Sequence, residues 1–115
     1  MKIRRINEAP VYEAPNHYAM RSLRLQGFDP EGPTKFWTGL SHFLPGGGAG
    51  PDSSPLEKVY VILAGEMTVK CDGLETVLHP LDSCFIGPDE EREIVNHTNS
   101  VTTMLVVMPY PEAKK

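Results

Sequence analysis

Val59-Tyr60-Val61-Ile62-Leu63-Ala64-Gly65-Glu66-Met67-Thr68-Val69-Lys70-Cys71-Asp72-Gly73-Leu74-Glu75-Thr76-Val77-Leu78 is the stretch that decides the fold class. Its apolar and β-branched residues fall into short runs, Val59 to Leu63, Met67 to Cys71 and Thr76 to Leu78. Ala64-Gly65 separates the first two and Asp72-Gly73 the last two. Asp-Gly is a preferred two-residue hairpin turn, because a type I′ turn needs positive φ at both central positions. The stretch therefore predicts strand, tight turn, strand, hairpin, strand.

The same pattern continues outward. Tyr18 to Leu25 and Phe36 to Leu44 precede it, and Cys84 to Ile86 and Val101 to Met108 follow it. Eleven prolines and ten glycines punctuate the chain, the rhythm of short strands and turns. No window keeps helical spacing for three turns. Many short strands without helices imply an all-β barrel or sandwich. A length of 115 residues suits one domain, 1–115, with a core from about 17 to 109. Residues 1–16 and the tail 111–115 read as peripheral. The glycine-rich stretch Pro45-Gly46-Gly47-Gly48-Ala49-Gly50-Pro51 lacks the Lys-Ser/Thr pair and following helix of a phosphate loop, and is expected to be a flexible turn.

Composition narrows the function classes. Eleven lysines and arginines against fifteen acids leave a net charge of −4, and no basic cluster exceeds Arg4-Arg5. Nucleic-acid binding is disfavoured, since it needs a basic face. No stretch approaches the roughly 20 apolar residues of a membrane helix, and no apolar signal core follows the charged start, so the expected location is cytoplasmic. Cys71 and Cys84 lie in strand-like runs and read as small packing residues in a reducing compartment.

Two blocks carry a family resemblance. In the first, Pro45-Gly46 supplies a turn and Tyr60-Val61-Ile62-Leu63-Ala64-Gly65-Glu66 is a strand ending in Gly-Glu. In the second, His79-Pro80-Leu81-Asp82, the apolar run Ser83 to Ile86, Gly87-Pro88-Asp89, Arg92 and Asn96 follow in order. Together they resemble the paired motifs of the cupin superfamily, here a small single-domain bacterial cupin. The resemblance implies a cupin β-barrel, a double-stranded β-helix or jelly roll. In the family, four side chains from these motifs hold a metal inside the barrel. Here those positions fall on Asp52, Ser54, Lys58 and Arg92. A one-residue slip would bring in Glu57 but would not restore the histidines. One carboxylate, one hydroxyl and two cations do not make a cage for a divalent ion, so no metal and no other cofactor is expected. His17, His42, His79 and His97 are scattered and read as solvated or locally hydrogen-bonded surface residues.

The resemblance brings Asp52, Ser54, Lys58 and Arg92 together near the barrel mouth, with Ser41, Tyr60 and Asn96 nearby. Two cations against one carboxylate leave a positive surplus. An unpaired buried charge is costly, and a guanidinium fork matches a carboxylate. The expectation is a metal-free pocket that binds a small organic anion, a carboxylic or sugar acid, with these seven residues as contacts. A second possibility is a metal-independent isomerase, lyase or decarboxylase, with Lys58 or Asp52 moving a proton. A third is a purely structural dimerisation scaffold. A homodimer is expected in any of these cases, since small cupins commonly pair and the Tyr18 to Leu25 strand needs its edge protected.

Overall fold

A computed structural model of the chain describes residues 1–111; the expected tail at 111–115 falls, after Pro111, outside the described residues. Among the described residues a single 3-10 turn, Ile6–Glu8, is followed by nine strands. They are β1 (Val11–Tyr12), β2 (His17–Gln26), β3 (Phe36–Asp52), β4 (Lys58–Ala64), β5 (Met67–Cys71), β6 (Leu74–Leu78), β7 (Ser83–Ile86), β8 (Arg92–Val95) and β9 (Thr102–Pro109). The main hydrogen-bonded order is β6-β5-β8-β3-β9-β4-β7, with β2 on β3 and β1 on β2. Every pairing is antiparallel. The sheet curls into a nearly closed all-β barrel.

Strand β3 organises it. Its first half pairs with β9, Phe36 opposite Pro109 through Phe43 opposite Thr102. Its second half pairs with β8, Gly48 opposite Val95 and Asp52 opposite Arg92. Between the halves the chain bends at the exposed Leu44–Gly46. The stretch Pro45 to Pro51 is thus strand, not the flexible turn expected from its composition. A side chain on Gly47 would run into the Ala19 carbonyl, and one on Gly48 into the Ile94 carbonyl. Glycine is required there because neighbouring strands approach too closely for a Cβ.

The Asp72-Gly73 hairpin forms as predicted, both residues at positive φ (51° and 76°) and Cys71 opposite Leu74. Alternation along β3 turns Trp37, Gly39, Ser41 and Phe43 inward. Phe43, Ile62, Met67, Ile94 and Met104 are at most 1% exposed and form the heart of the core. At that burial, Ile94→Ala would cost about 2–5 kcal/mol. One edge of β2 pairs with β3 along its length, whereas on the other edge β1 covers only Ser22 and Leu23. No helix is long and apolar enough to cross a membrane among the described residues.

Candidate functional site

The core closes one end of the barrel, and a cavity of about 330 Å³ opens at the other. That volume suits a small metabolite. Of the seven residues expected to meet there, six line it: Ser41, Asp52, Ser54, Lys58, Tyr60 and Arg92.

Asn96 does not. It is fully buried at the opposite end, where its amide donates to the carbonyls of Phe43 (3.0 Å) and Ser100 (2.7 Å). Its Oδ1 accepts from the Thr98 N–H and hydroxyl at 2.9 and 2.7 Å. All of its hydrogen-bonding capacity is spent tying the β3 bend to the β8–β9 loop. Asn96 is a structural staple, which corrects its place among the ligand contacts.

Lys58 opens β4 and Arg92 opens β8, and inward alternation leaves them only 6% and 7% exposed. Arg92 Nε donates to the Tyr60 hydroxyl at 2.8 Å, while Arg92 Nη1 is shut off from solvent with no hydrogen-bond partner. No carboxylate stands within ion-pair distance of either cation among the described residues. Asp52, the obvious partner, is exposed, and its Oδ1 accepts from the Ser53 N–H at 2.8 Å. Of the acids nearby, Glu90 in the β7–β8 loop accepts from Gly87 N–H at 2.6 Å, and Glu93 on β8 pairs with Lys70 at 3.6 Å. Burial, then repulsion from Arg92, lowers the Lys58 pKa, with Asp52 opposing. Burial raises that of Tyr60 and Arg92 partly offsets it.

A salt-bridge clasp in place of a metal is therefore not what these residues form. Nor does a metal fit. The donors at the family's metal positions are one exposed carboxylate, the Ser54 hydroxyl and two buried cations. Such a set repels a divalent ion.

The rest of the wall was hidden from the sequence. Tyr12, Glu13, Ala14 and Pro15 fold over the opening, so the N-terminal segment is part of the cavity. Arg24, Trp37, Met104, Val106 and Met108 complete it. His17 also belongs to this wall, half-buried; it is locally hydrogen-bonded as expected, but its place beside the cavity was not foreseen. Its Nδ1 lies 2.7 Å from the Pro15 carbonyl. A carbonyl can only accept, so Nδ1 carries the proton and Nε2 is left free. Burial lowers the His17 pKa, the Pro15 hydrogen bond opposes it, and the charges of Arg92 and Lys58 add to the lowering. The other three keep to the outside: His42 meets the Thr103 hydroxyl at 3.0 Å, His79 lies 3.6 Å from Glu66 and Asp82, and His97 is exposed. Burial raises the pKa of both free thiols, Cys71 and Cys84, which argues against thiolate chemistry.

Comparison with known proteins supports the architecture. Over 114 residues the chain is 43% identical to a Mycobacterium tuberculosis protein named Beta-D-galactosidase, covering 99% of this chain and 98% of that one. The barrel superposes on the polyketide cyclase RemF from Streptomyces resistomycificus with a TM-score of 0.84 at 21% identity, covering 95% of this chain and 79% of that one. It superposes on KdgF from Halomonas sp. with a TM-score of 0.79 at 11% identity, covering 97% and 96%. Residues 39–108 match the family model described as Cupin domain. With motif order, barrel topology and that match in agreement, the chain belongs to the cupin family.

Proposed function

We propose that the barrel cavity binds a small organic anion, a carboxylic or sugar acid, anchored by Arg92 and Lys58. One observation carries this reading: among the described residues, two buried cations share a cavity with no acid at ion-pair distance. A buried cation without a counter-charge is costly, and a bound carboxylate offsets that cost. The floor of Met104, Val106 and Met108 suits a carbon skeleton, and the ring of Trp37 offers a flat face for a sugar's C–H side. A thermal-shift screen of mono- and dicarboxylates and sugar acids is the test. A ligand at 100 times its Kd stabilises by about 2.7 kcal/mol. If no acid raises the melting temperature, the proposal fails.

A second reading is hydrolysis of a β-D-galactoside, favoured by the name of the 43%-identical relative and by Glu13 and Asp52 on the same cavity wall. Glycoside hydrolysis works through a pair of carboxyl groups. Release of nitrophenol from a nitrophenyl β-D-galactoside, lost in Asp52→Asn and in Glu13→Gln, would establish it. No release would leave a binding protein. The cytoplasmic location and the homodimer expected from the sequence belong to the same proposal. The homodimer is supported by an outward apolar row, Phe85, Val59 and Val107, that runs across β7, β4 and β9. Sedimentation at the monomer mass would reject it.

A further inference from the structure

Arg24, on β2, reaches the cavity from the wall formed with the N-terminal segment. Its guanidinium carbon lies 3.9 Å from the ring centroid of Phe28, 4.4 Å from that of Tyr12 and 5.4 Å from that of Trp37. Tyr12 and Trp37 meet edge to face at 5.6 Å. Gly39, opposite Arg24 in the β2–β3 register, makes the room: a Cβ there would lie 2.7 Å from the Tyr12 hydroxyl and 3.0 Å from the Trp37 ring. Rings thus hold the guanidinium, leaving its edge for hydrogen bonds. Arg24 Nε is shielded from solvent without a partner, and Arg24 makes no ion pair among the described residues. A cation held by aromatic faces spends no N–H on the protein, and the two terminal nitrogens of Arg24, which unlike Nε are not shut off from solvent, can meet an acceptor.

The cavity therefore has two cationic poles. Arg92 and Lys58 form one and Arg24 the other, each with an enclosed guanidinium N–H lacking an acceptor. The acids on the wall, Glu13 and Asp52, are exposed. The two buried charges on the wall, Lys58 and Arg92, are both positive, and half-buried Arg24 adds a third.

We propose that the ligand is a dianion, a small polyol dicarboxylate with one carboxylate on Arg92 and Lys58 and the second on Arg24. This rests on the anion-binding reading above and adds the second anionic group. Two matched pairs test it by isothermal titration: gluconate against glucarate, and hexanoate against adipate, each differing by one carboxylate. The diacid of at least one pair should bind roughly 10- to 100-fold tighter than its monoacid, as expected for one charged hydrogen-bonding contact. Arg24→Gln should collapse that ratio to near one, whereas Arg92→Gln should weaken both members by similar factors. Arg24 also packs the N-terminal segment, so Arg24→Lys, which keeps stem and charge, serves as the second variant and should retain part of the preference. Should both variants unfold, the ratio in the unaltered protein decides. Equal binding of monoacid and diacid overturns the second pole and leaves the anion site standing. Absence of binding by every acid overturns both.

Discussion

Arg92 and Tyr60, on strands β8 and β4, are joined by a 2.8 Å hydrogen bond from Nε to the phenol oxygen. This bond fixes the guanidinium against one wall while Nη1 is enclosed with no partner. Tyr60→Phe keeps the ring in the core and removes only the acceptor, leaving a second guanidinium N–H unpaired. The expected loss is about 1.5–3 kcal/mol, the range for a hydrogen bond to a charged group. Urea denaturation measures it, and an unchanged midpoint would mean that the bond does not orient Arg92.

Lys58 is a charge kept in an unfavourable place. Burial and Arg92 both lower its pKa below the usual 10.5. The unfolded chain thus holds this proton more tightly than the folded one, so the penalty is full below the folded pKa and fades as pH rises towards 10.5. At neutral pH Lys58→Met should stabilise the ligand-free protein, by on the order of 1 kcal/mol. The same change should weaken acid binding. A variant less stable than the original without ligand would show that Lys58 has a stabilising partner.

The sequence carried the inward side of each long strand, because period two leaves no freedom once one buried residue is placed. Ser41, Tyr60, Lys58 and Arg92 were legible because the resemblance to the cupin motifs fixes where each falls on its strand, and alternation then turns it inward. The N-terminal contribution was not. Val11–Tyr12 is too short a strand to read from pattern, and only the register of β1 on β2 brings Tyr12 to Arg24 and Trp37. Glu13 and His17 enter the wall with it.

The glycine stretch was misread because composition cannot reveal which backbones crowd it. Gly48→Ala forces a Cβ against the Ile94 carbonyl and should cost about 3 kcal/mol, the upper range of overpacking. Gly46, at φ +82° but with open space around it, should lose only about 1–2 kcal/mol on the same change. Equal losses in thermal denaturation would refute the close-approach explanation.

Asn96 shows the opposite error, a motif position taken for a contact. Asn96→Ala strands the Phe43 and Ser100 carbonyls and the Thr98 N–H. A destabilisation of about 3 kcal/mol is expected. Because Asn96 does not line the cavity, acid affinity measured well below the melting temperature should hold. A large affinity loss in a folded Asn96→Ala protein would return the residue to the site.

His17 contributes to the loss of stability in mild acid. Its folded pKa lies below the ordinary 6.5, through burial first and then the charges of Arg92 and Lys58. Between the folded value and 6.5 the unfolded chain binds the proton and the native state does not, so stability falls as pH drops through this window. Above 6.5 both states are neutral at this residue and its contribution vanishes. His17→Gln removes the titration while keeping a polar side chain near Pro15. The difference in unfolding free energy between the two proteins should therefore shift in favour of the variant as pH falls below 6.5, then level off. A bound carboxylate reverses part of this by neutralising the repulsion from Arg92 and Lys58, so the native protein should lose less stability on acidification when a ligand acid is present. A pH-independent difference between the two proteins would show that His17 is solvated and does not sense the two cations.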